Sequence, residues 1–396
     1  MIAKVPILRT PAGYRDILWS CVESLYPSVG ERFRAIFLRQ FTFARVTGSG
    51  IAAFYLLLKA AAQRSGRKEV ILPAYTAGSL VVAVKKAGLI PVLCDVSLKD
   101  FNLNETDLYN TLSGQTLAVV AVHMFGIGVS YIAALKAKIG PDVVLIEDCA
   151  QAMGTMIGSC EVGAFGDASF FSFNRGKNIP TSAGGLVVTN SEKLVSHIEK
   201  LWAQEAPRNV MFSNVNACVR SFALSCIRHP FVYGLLYPFA SVFKEKKYAS
   251  DFSITRIAPF NAALGFRLYQ RVKEFARARY ENGVRMLNAL EGTPGLILPV
   301  IPQGVSPAFN RLPIVFKEIA ARQRAEDELY RMGIETSRMY GQPLHCMFEL
   351  GYKKESLPNA VFLAERLLTL PVYPGLSDTH MSVIIDTIRR AGKDLR

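Results

Sequence analysis

The interpretation of this chain depends on one stretch of sequence, Phe170-Phe171-Ser172-Phe173-Asn174-Arg175-Gly176-Lys177-Asn178. It closes an apolar run over residues 168–173, which has the length of a buried strand, and a second apolar run follows at 186–188. Lys177 lies in the polar turn between the two runs. Burial of a lysine at the end of a strand lowers its pKa and makes the amine a nucleophile toward carbonyl compounds. The alternative is a solvated loop lysine, which is the more common case.

A candidate phosphate-binding turn lies earlier in the chain, at Thr47-Gly48-Ser49-Gly50. The strongly apolar residues 51–62 follow it and predict a buried helix. Small residues that open a helix leave backbone N–H groups unpaired, and the helix dipole adds positive potential there. A Gly-Ser-Gly string is also common as an ordinary turn.

Strand-like and helix-like runs alternate between residues 69 and 149. The predicted strands are 69–74, 91–96, 117–123 and 143–149, and the predicted helices are 77–86, 105–112 and 131–139. This alternation predicts an α/β fold with a mostly parallel central sheet, in which ligands bind at the carboxyl ends of the strands. The polar residues expected there are Tyr75, Thr76, His123, Glu147, Asp148, Gln151 and Ser172.

Two of these strand-end residues have alternative interpretations. Asp148 closes the run Val143-Val144-Leu145-Ile146-Glu147-Asp148, where a carboxylate is costly unless a cation pairs with it. It is either the counter-ion of a protonated ring nitrogen or the N-cap of a following helix. His123 either shapes the pocket or is a hydrogen-bonded core histidine.

The length of 396 residues predicts two domains. We assign residues 1–260 to a large domain, which begins with one or two short helices before residue 45. Residues 261–396 are assigned to a smaller α+β domain, which begins with one long connecting helix over 261–290.

The charge of the chain favours anionic partners. Lysine and arginine number 46 against 32 acidic residues, which gives a formal net charge of +14. The excess is spread along the chain without a polybasic block or a nucleic-acid motif, so we expect no nucleic-acid partner.

The seven cysteines form no C-x-x-C pair, which indicates reduced thiols rather than a disulfide framework or a metal site. Residues 1–15 contain no long apolar stretch typical of a signal peptide. We therefore expect a cytoplasmic protein that holds no metal.

Residues 205–250 interrupt the alternating pattern. The apolar and aromatic stretch 221–243 contains Arg228 and His229, and Lys244-Glu245-Lys246-Lys247 follows it. The internal charge argues against a membrane span. The stretch is either a buried or partner-contacting insert or an interfacial helix that makes peripheral contact with a membrane.

Taken together, the motifs resemble those of the DegT/DnrJ/StrS-type sugar aminotransferases, which are enzymes of the aspartate-aminotransferase fold (fold type I) that use pyridoxal 5'-phosphate (PLP). The resemblance covers most of residues 45–200 and 255–390. It rests on Gly48-Ser49-Gly50, His123-Met124-Phe125-Gly126, Ile146-Glu147-Asp148-Cys149-Ala150-Gln151-Ala152-Met153-Gly154, residues 163–167, Phe171-Ser172-Phe173 with Lys177, Gly184-Gly185, Pro343-Leu344-His345 and Leu370-Pro371-Val372-Tyr373-Pro374-Gly375-Leu376.

The resemblance implies roles for the matched residues. Lys177 would hold PLP as a Schiff base and then move protons between the substrate and the cofactor. Asp148 would pair with the pyridinium nitrogen, and Gln151 would hydrogen-bond the ring hydroxyl. The phosphate would be held by Ser49, Gly50 and Ser172.

The chain also departs from the family pattern. The family's bulky residue beside the cofactor ring is replaced by Ala77, so that Tyr75 or another side chain would substitute. The partner-subunit asparagine that reaches the phosphate in the family corresponds to Ile254, with Arg256 retained. The glycine- and threonine-rich N-terminal loop is not recognisable before Thr47. The predicted substrate or pocket residues are His123, Arg256 and His345.

The resemblance implies an aminotransferase that moves an amino group from an amino acid, expected to be glutamate, to a keto-sugar. The sugar would be nucleotide-linked and would serve polysaccharide or secondary-metabolite biosynthesis. The enzyme would be a homodimer with shared active sites. Two alternatives remain: other PLP chemistry such as dehydration, and a non-catalytic regulator or membrane-surface scaffold.

Overall fold

The structure is a computed structural model and describes residues 4–206, 211–226 and 251–393. Its N-terminal half alternates helices and strands, which form a layered α/β unit. In chain order these elements are α1 (Tyr14–Glu23), α2 (Val29–Phe37), β1 (Phe43–Thr47), α3 (Gly50–Ala62), β2 (Glu69–Pro73), α4 (Ser79–Lys86), β3 (Ile90–Cys94), α5 (Glu105–Thr111), β4 (Thr116–Val122), α6 (Ile132–Lys138), β5 (Val144–Asp148), β6 (Met156–Ile157), β7 (Cys160–Glu161), β8 (Ala168–Ser172), β9 (Gly185–Thr189), α7 (Glu192–Glu205) and α8 (Met211–Cys226).

The seven-stranded sheet has the strand order β1-β9-β8-β5-β4-β2-β3. The five strands from β8 to β3 run parallel, whereas β9 is antiparallel to both β8 and β1. Strands β4 and β5 are buried along their whole length, as expected for a parallel sheet covered by helices on both faces. The predicted fold class, with its mostly parallel central sheet flanked by helices, is confirmed.

Strand β1 was not predicted. It pairs antiparallel with β9, from Phe43 opposite Thr189 to Thr47 opposite Gly185, and so forms one edge of the sheet. Its five residues are too short a run to show the alternation of a strand clearly. The pairing has a functional consequence, because it carries the chain directly to the turn that opens α3.

Helix α3 lies under the sheet and points its N-terminus at the carboxyl ends of the strands. Its sequence is rich in alanine and leucine, which are strong helix formers, and most of its residues are buried between β8, β9, α4 and α7. The Ser49 hydroxyl caps the helix by accepting the Ala52 N–H at 3.2 Å. The buried helix therefore holds its first turn in a fixed position beside the sheet.

The C-terminal part adds a three-stranded antiparallel sheet with the order β10-β12-β13 and further helices. Its elements are α9 (Pro259–Tyr269), α10 (Val272–Leu290), β10 (Leu296–Ile297), β11 (Val305–Ser306), β12 (Leu312–Phe316), α11 (Ile319–Arg331), α12 (Leu344–Met347), α13 (Pro358–Arg366), β13 (Leu367–Leu370) and α14 (Asp378–Lys393).

The prediction of a single connecting helix over residues 261–290 is wrong, because the structure contains two helices there. Helix α9 ends at Tyr269 and packs on α1 and α2, and α10 begins at Val272. Gln270 and Arg271 form the turn between them. Both residue types are good helix formers, so helical periodicity does not detect the break. The boundary predicted at residues 260 and 261 falls inside α9, and the domain division stays a prediction.

Within the described part of the chain, no helix combines the length and the apolar character needed to cross a membrane. The stretch 221–243, which we interpreted as either a buried or partner-contacting insert or an interfacial helix, begins in the last turns of α8. Its residues from 227 onward lie outside the described residues.

Candidate active site

The loop that carries Lys177 joins β8 to β9 at the carboxyl end of β8. Two backbone hydrogen bonds of Phe173 close this loop, one from Phe173 N–H to the Gly184 carbonyl (2.9 Å) and one from Thr181 N–H to the Phe173 carbonyl (2.7 Å). Gly176 immediately before the lysine has φ of +85°, a conformation that glycine adopts without strain. The lysine is therefore positioned by a closed loop rather than by a mobile surface segment.

Lys177 is partly buried, and its pKa differs from that of an ordinary lysine. Burial lowers the pKa of Lys177 to about 8, the nearby Arg311 guanidinium acts in the same direction, and the Asp148 carboxylate opposes both. No hydrogen bond from the Lys177 amine is found among the residues that the structure describes. A poorly solvated amine with a lowered pKa is suited to bond formation with a carbonyl compound.

Asp148 is the last residue of β5 and is buried beside Lys177. Burial raises the pKa of Asp148, whereas the Ala150 N–H, which Oδ1 accepts at 2.9 Å, and the charge of Lys177 lower it. Oδ2 has no hydrogen-bond donor among the described residues. A buried carboxylate with one oxygen unsatisfied is a site for a cation or an N–H group.

The three residues predicted to hold a phosphate lie together. A Cβ atom added to Gly50 would lie only 2.7 Å from Ser172 Cβ and 3.1 Å from its Oγ. Ser49 forms an isolated parallel bridge with Gly184, at the end of the Lys177 loop. The first turn of α3 and the end of β8 are therefore in direct contact, and a side chain at position 50 would clash with Ser172.

Gln151 and Tyr75 contact a segment of the C-terminal part. The Gln151 amide donates to the Tyr340 hydroxyl at 3.3 Å and accepts the Phe125 N–H at 3.3 Å. The buried Tyr75 donates its hydroxyl to the Arg338 carbonyl at 3.1 Å, and its ring lies 5.5 Å from that of Tyr340. Tyr340 thus links two of the predicted cofactor residues.

His123 has the contacts of a core histidine. It is fully buried, its Nε2 lies 3.0 Å from Glu147 Oε2, and its Nδ1 accepts the Val129 N–H at 3.1 Å. Burial opposes ionisation of Glu147, but the hydrogen bond from His123 and those from backbone amides hold its pKa below the ordinary value. The carboxylate also accepts hydrogen bonds from Gly163, Phe165, Gly166 and Ser169.

These contacts also explain the one group of potential metal ligands in the described residues, which consists of His123, Glu147 and Cys149. Both oxygens of Glu147 already accept several hydrogen bonds. The cluster ties β5 to the loop that precedes β8, a structural role that needs no ion.

Arg256 and His345 lie at the margins of the site. The Arg256 guanidinium lies 5.3 Å above the Trp202 ring, and the neighbouring Ile254 is buried in the core of its own subunit. His345 is buried with Nε2 3.0 Å from the Lys354 carbonyl, and its Nδ1 has no hydrogen-bond partner in the described structure. Arg256 follows Thr255, whose carbonyl accepts the Gly48 N–H (2.7 Å) beside the first turn of α3. His345 borders the site through Leu344, whose N–H donates to the Ala74 carbonyl (2.8 Å).

Sequence reasoning missed Arg311. It follows Asn310, which donates to the Gly176 carbonyl at 2.6 Å and so attaches this segment to the Lys177 loop. The Arg311 Nε is buried and has no hydrogen-bond partner among the described residues. Burial lowers the pKa of Arg311, while Tyr340, Glu335 and Tyr75 act in the opposite direction. The sequence signal that could have identified it is a charged residue directly before the apolar strand 312–316. Burial of a charge at such a position is unfavourable unless a partner or ligand compensates it.

The arrangement fits PLP. Among the described residues it offers a Lys177 amine and an Asp148 Oδ2 that have no hydrogen-bond partner, and a close approach of Gly50 to Ser172 that has no room for a side chain at position 50. These features lie at the carboxyl edge of a mostly parallel sheet, next to a helix N-terminus. They define the class of PLP-dependent enzymes of the aspartate-aminotransferase fold.

The particular family follows from comparison with known proteins. The sequence profile of the DegT/DnrJ/EryC1/StrS aminotransferase family matches residues 31–389, and the chain belongs to this family. The predicted family, fold type, aminotransferase activity and PLP cofactor are thereby confirmed.

Named relatives are similar over nearly their whole length. GDP-perosamine synthase of Vibrio cholerae is 24% identical, with 95% of each chain covered. The UDP-N-acetyl-3-dehydro-alpha-D-glucosamine 3-aminotransferase of Acidithiobacillus ferrooxidans is 28% identical, with 86% of this chain and 82% of the relative covered. Among solved structures, the PLP form of the putative sugar aminotransferase Spr1654 from Streptococcus pneumoniae has a TM-score of 0.76 and 18% identity, covering 98% of this chain and 99% of that chain.

Proposed function

We propose that this aminotransferase moves the amino group of glutamate to a nucleotide-linked keto-sugar. The observation that carries the proposal is that Lys177 and Asp148 lie close enough at the carboxyl edge of the sheet for each to shift the pKa of the other. Asp148 would hold the ring nitrogen, Gln151 the ring hydroxyl, and the small residues of the α3 turn the phosphate. Bound PLP supplies an electron sink for the transfer. With its pKa near 8, the Lys177 amine is able both to accept and to give a proton near neutral pH.

Arg311 supports an amino acid as the amino donor. The buried Arg311 Nε has no hydrogen-bond partner among the described residues, so a ligand carboxylate is a suitable partner for this guanidinium. Arg311 lies close enough to Lys177 to lower the pKa of its amine. The α-amino group of glutamate must lie beside Lys177 to react, and the α-carboxylate is attached to the same carbon atom. We therefore assign Arg311 to the α-carboxylate.

The nature of the acceptor is supported by the relatives, which are named for GDP- and UDP-linked amino sugars. The net charge of +14 is compatible with a diphosphate-linked substrate. As in the family, the functional unit would be a homodimer in which both subunits contribute to each site. Reduced cysteines favour a cytoplasmic location, and those that the structure describes are free thiols.

The test is a two-stage assay with purified PLP-loaded protein. Glutamate alone should release 2-oxoglutarate up to one equivalent of bound PLP, and a nucleotide-linked keto-sugar should then restore repeated turnover. Glutamate turnover with no keto-sugar accepted would contradict the acceptor assignment. Loss of water from the sugar without release of 2-oxoglutarate would establish dehydration instead, and inactivity with every donor would favour the scaffold alternative.

A further inference from the structure

Helix α1 turns an apolar face to the solvent. The outer side of the helix and of the turn that follows it carries two leucines, a tryptophan and two tyrosines, each more than half exposed. They are Tyr14 (61%), Leu18 (65%), Trp19 (53%), Leu25 (79%) and Tyr26 (59%). The inner side buries Ile17 and Ser20 against the protein. Single exposed apolar residues are normal on protein surfaces, but a group of this size on one helix is not.

Helix α8 has the same property. Val215, Val219 and Phe222 are all more than half exposed, and their spacing of four and three residues places them on one face of the helix. Ala217 and Ser221 lie on the opposite, buried side. The described part of α8 is therefore amphipathic, with its apolar side outward.

The two apolar faces are parts of one surface. Helices α1 and α8 pack against each other, and the Sγ atoms of Cys21 and Cys218 lie 4.0 Å apart at their contact. We call the exposed residues of these two helices the α1–α8 face.

The acidic residues on the protein side of this face are already neutralised. Glu23 forms a two-pronged ion pair with Arg267, with contacts of 2.7 and 3.2 Å, and Asp16 pairs with Arg271 at 2.8 Å. The exposed charged residues within α1 and the described part of α8 are two arginines, Arg15 and Arg220. The face is thus apolar and aromatic with a positive border.

We propose that the α1–α8 face binds the surface of a lipid bilayer that contains anionic lipids. Tryptophan, tyrosine and leucine on one side of a helix, with arginines at the border, suit the boundary between headgroups and acyl chains. The chain also continues from α8 into the apolar sequence 227–243 and then Lys244-Glu245-Lys246-Lys247, a composition that favours the same anionic surface.

The chain has two tryptophans, and this simplifies the test. Trp202 is buried, whereas Trp19 belongs to the α1–α8 face. Vesicles of phosphatidylglycerol and phosphatidylcholine should shift the fluorescence of the full-length holoenzyme to shorter wavelength and should sediment with the protein. Trp19→Phe should remove the shift, and raising the salt from 0.1 to 0.5 M should weaken binding because it screens the arginines. Vesicles of phosphatidylcholine alone should bind much less.

The decisive comparison uses two double variants with the same change of charge. Leu18→Glu/Leu25→Glu alters the α1–α8 face. The control, Ile90→Glu/Val300→Glu, alters two similarly exposed residues elsewhere, and Ile90 lies in β3, the edge strand at the other end of the sheet from β1. Since the first variant replaces apolar surface of the face with two negative charges, we expect it to lower vesicle binding about tenfold or more and the second to change it little. Equal losses in both variants, or no vesicle binding by the wild type, would overturn the proposal. So would a dimer that the first variant converts to a monomer without any effect of lipid.

Discussion

Two regions of this molecule break opposite rules of protein packing. The first is the region around Lys177, Asp148, Ser49, Gly50 and Ser172, which we call the Lys177 corner. Polar groups there are buried without full hydrogen bonding, as Asp148 and the adjoining Arg311 show. On the α1–α8 face, apolar groups are exposed to water, as Leu18 and Leu25 show. Each violation costs free energy in the isolated chain, and each is relieved by a molecule that the chain does not itself supply. The polar corner requires a small charged cofactor, whereas the apolar face requires an extended apolar surface.

The largest effect that separates the two regions is expected for Lys177→Ala. Removal of the amine should lower transamination by about a thousandfold or more, since this residue is assigned the proton transfers. Vesicle binding should remain at the wild-type level, because the α1–α8 face is untouched. Parallel measurement of turnover and of co-sedimentation checks both statements. Loss of both properties together would show that the regions are not independent.

A smaller effect is expected for Arg311→Met. The KM for glutamate should rise about 100-fold, toward the lower end of the about 2–5 kcal/mol that loss of one partner of a buried charge pair costs. Because the guanidinium helps to lower the pKa of Lys177, the pKa of the amine should rise in the variant and the pH–rate profile should move to higher pH. Arg277→Met, at a surface ion pair with Glu281, is the matched control and should leave both quantities unchanged. An unchanged KM for glutamate in Arg311→Met would remove Arg311 from the donor site.

An intermediate loss is expected for Gly50→Ala. The new methyl group would lie 2.7 Å from Ser172 Cβ, so Ser172 or the first turn of α3 would have to move, and both are assigned to the phosphate. Overpacking of this kind costs about 1–3 kcal/mol, so the Kd for PLP should rise about tenfold. Gly114→Ala is the control, because an added Cβ there meets no atom within 4 Å. Absorbance titration of both apoproteins with PLP measures the difference, and equal affinities would contradict the phosphate assignment.

The smallest effect concerns the stability of the apoprotein. The pKa of Lys177 is lowered to about 8 from the ordinary value of 10.5, so protonation of this lysine opposes folding below pH 8. Between pH 8 and 10.5 the unfolded chain binds more protons at this site, and the wild type therefore gains stability as the pH rises. Lys177→Met lacks this dependence. Denaturant unfolding should find the variant more stable at pH 7 and the difference smaller at pH 10, whereas a constant difference would show that Lys177 is not buried.

The predictability of the two regions differs for a physical reason. The Lys177 corner is assembled from strand ends and one helix N-terminus, and strand alternation places these features at one edge of a parallel sheet. Lys177, Asp148 and Ser172 could therefore be placed at one edge of the sheet from local patterns, whereas only the resemblance to the family implied that Ser49 and Gly50 lie beside Ser172. Their roles toward PLP stay predictions, but their positions agree with those expected from the sequence.

The rest of the site depends on long-range packing, which local patterns do not encode. Arg311 and Tyr340 reach the corner from the C-terminal part, and nothing in their neighbouring sequence identifies their partners. The break between α9 and α10 was missed because both residues of the turn favour helices. The α1–α8 face was missed because helical spacing alone does not say which side of an amphipathic helix is covered.

The most direct test of the central claim is chemical attachment of the cofactor. Holoenzyme treated with borohydride, which fixes the bond between PLP and its lysine, should be digested and analysed by mass spectrometry. We predict one cofactor per chain, attached at Lys177, in the wild type and in Leu18→Glu/Leu25→Glu alike. Attachment at another lysine, or no attachment to a folded wild-type protein supplied with PLP, would contradict the assignment of the Lys177 corner as the active site.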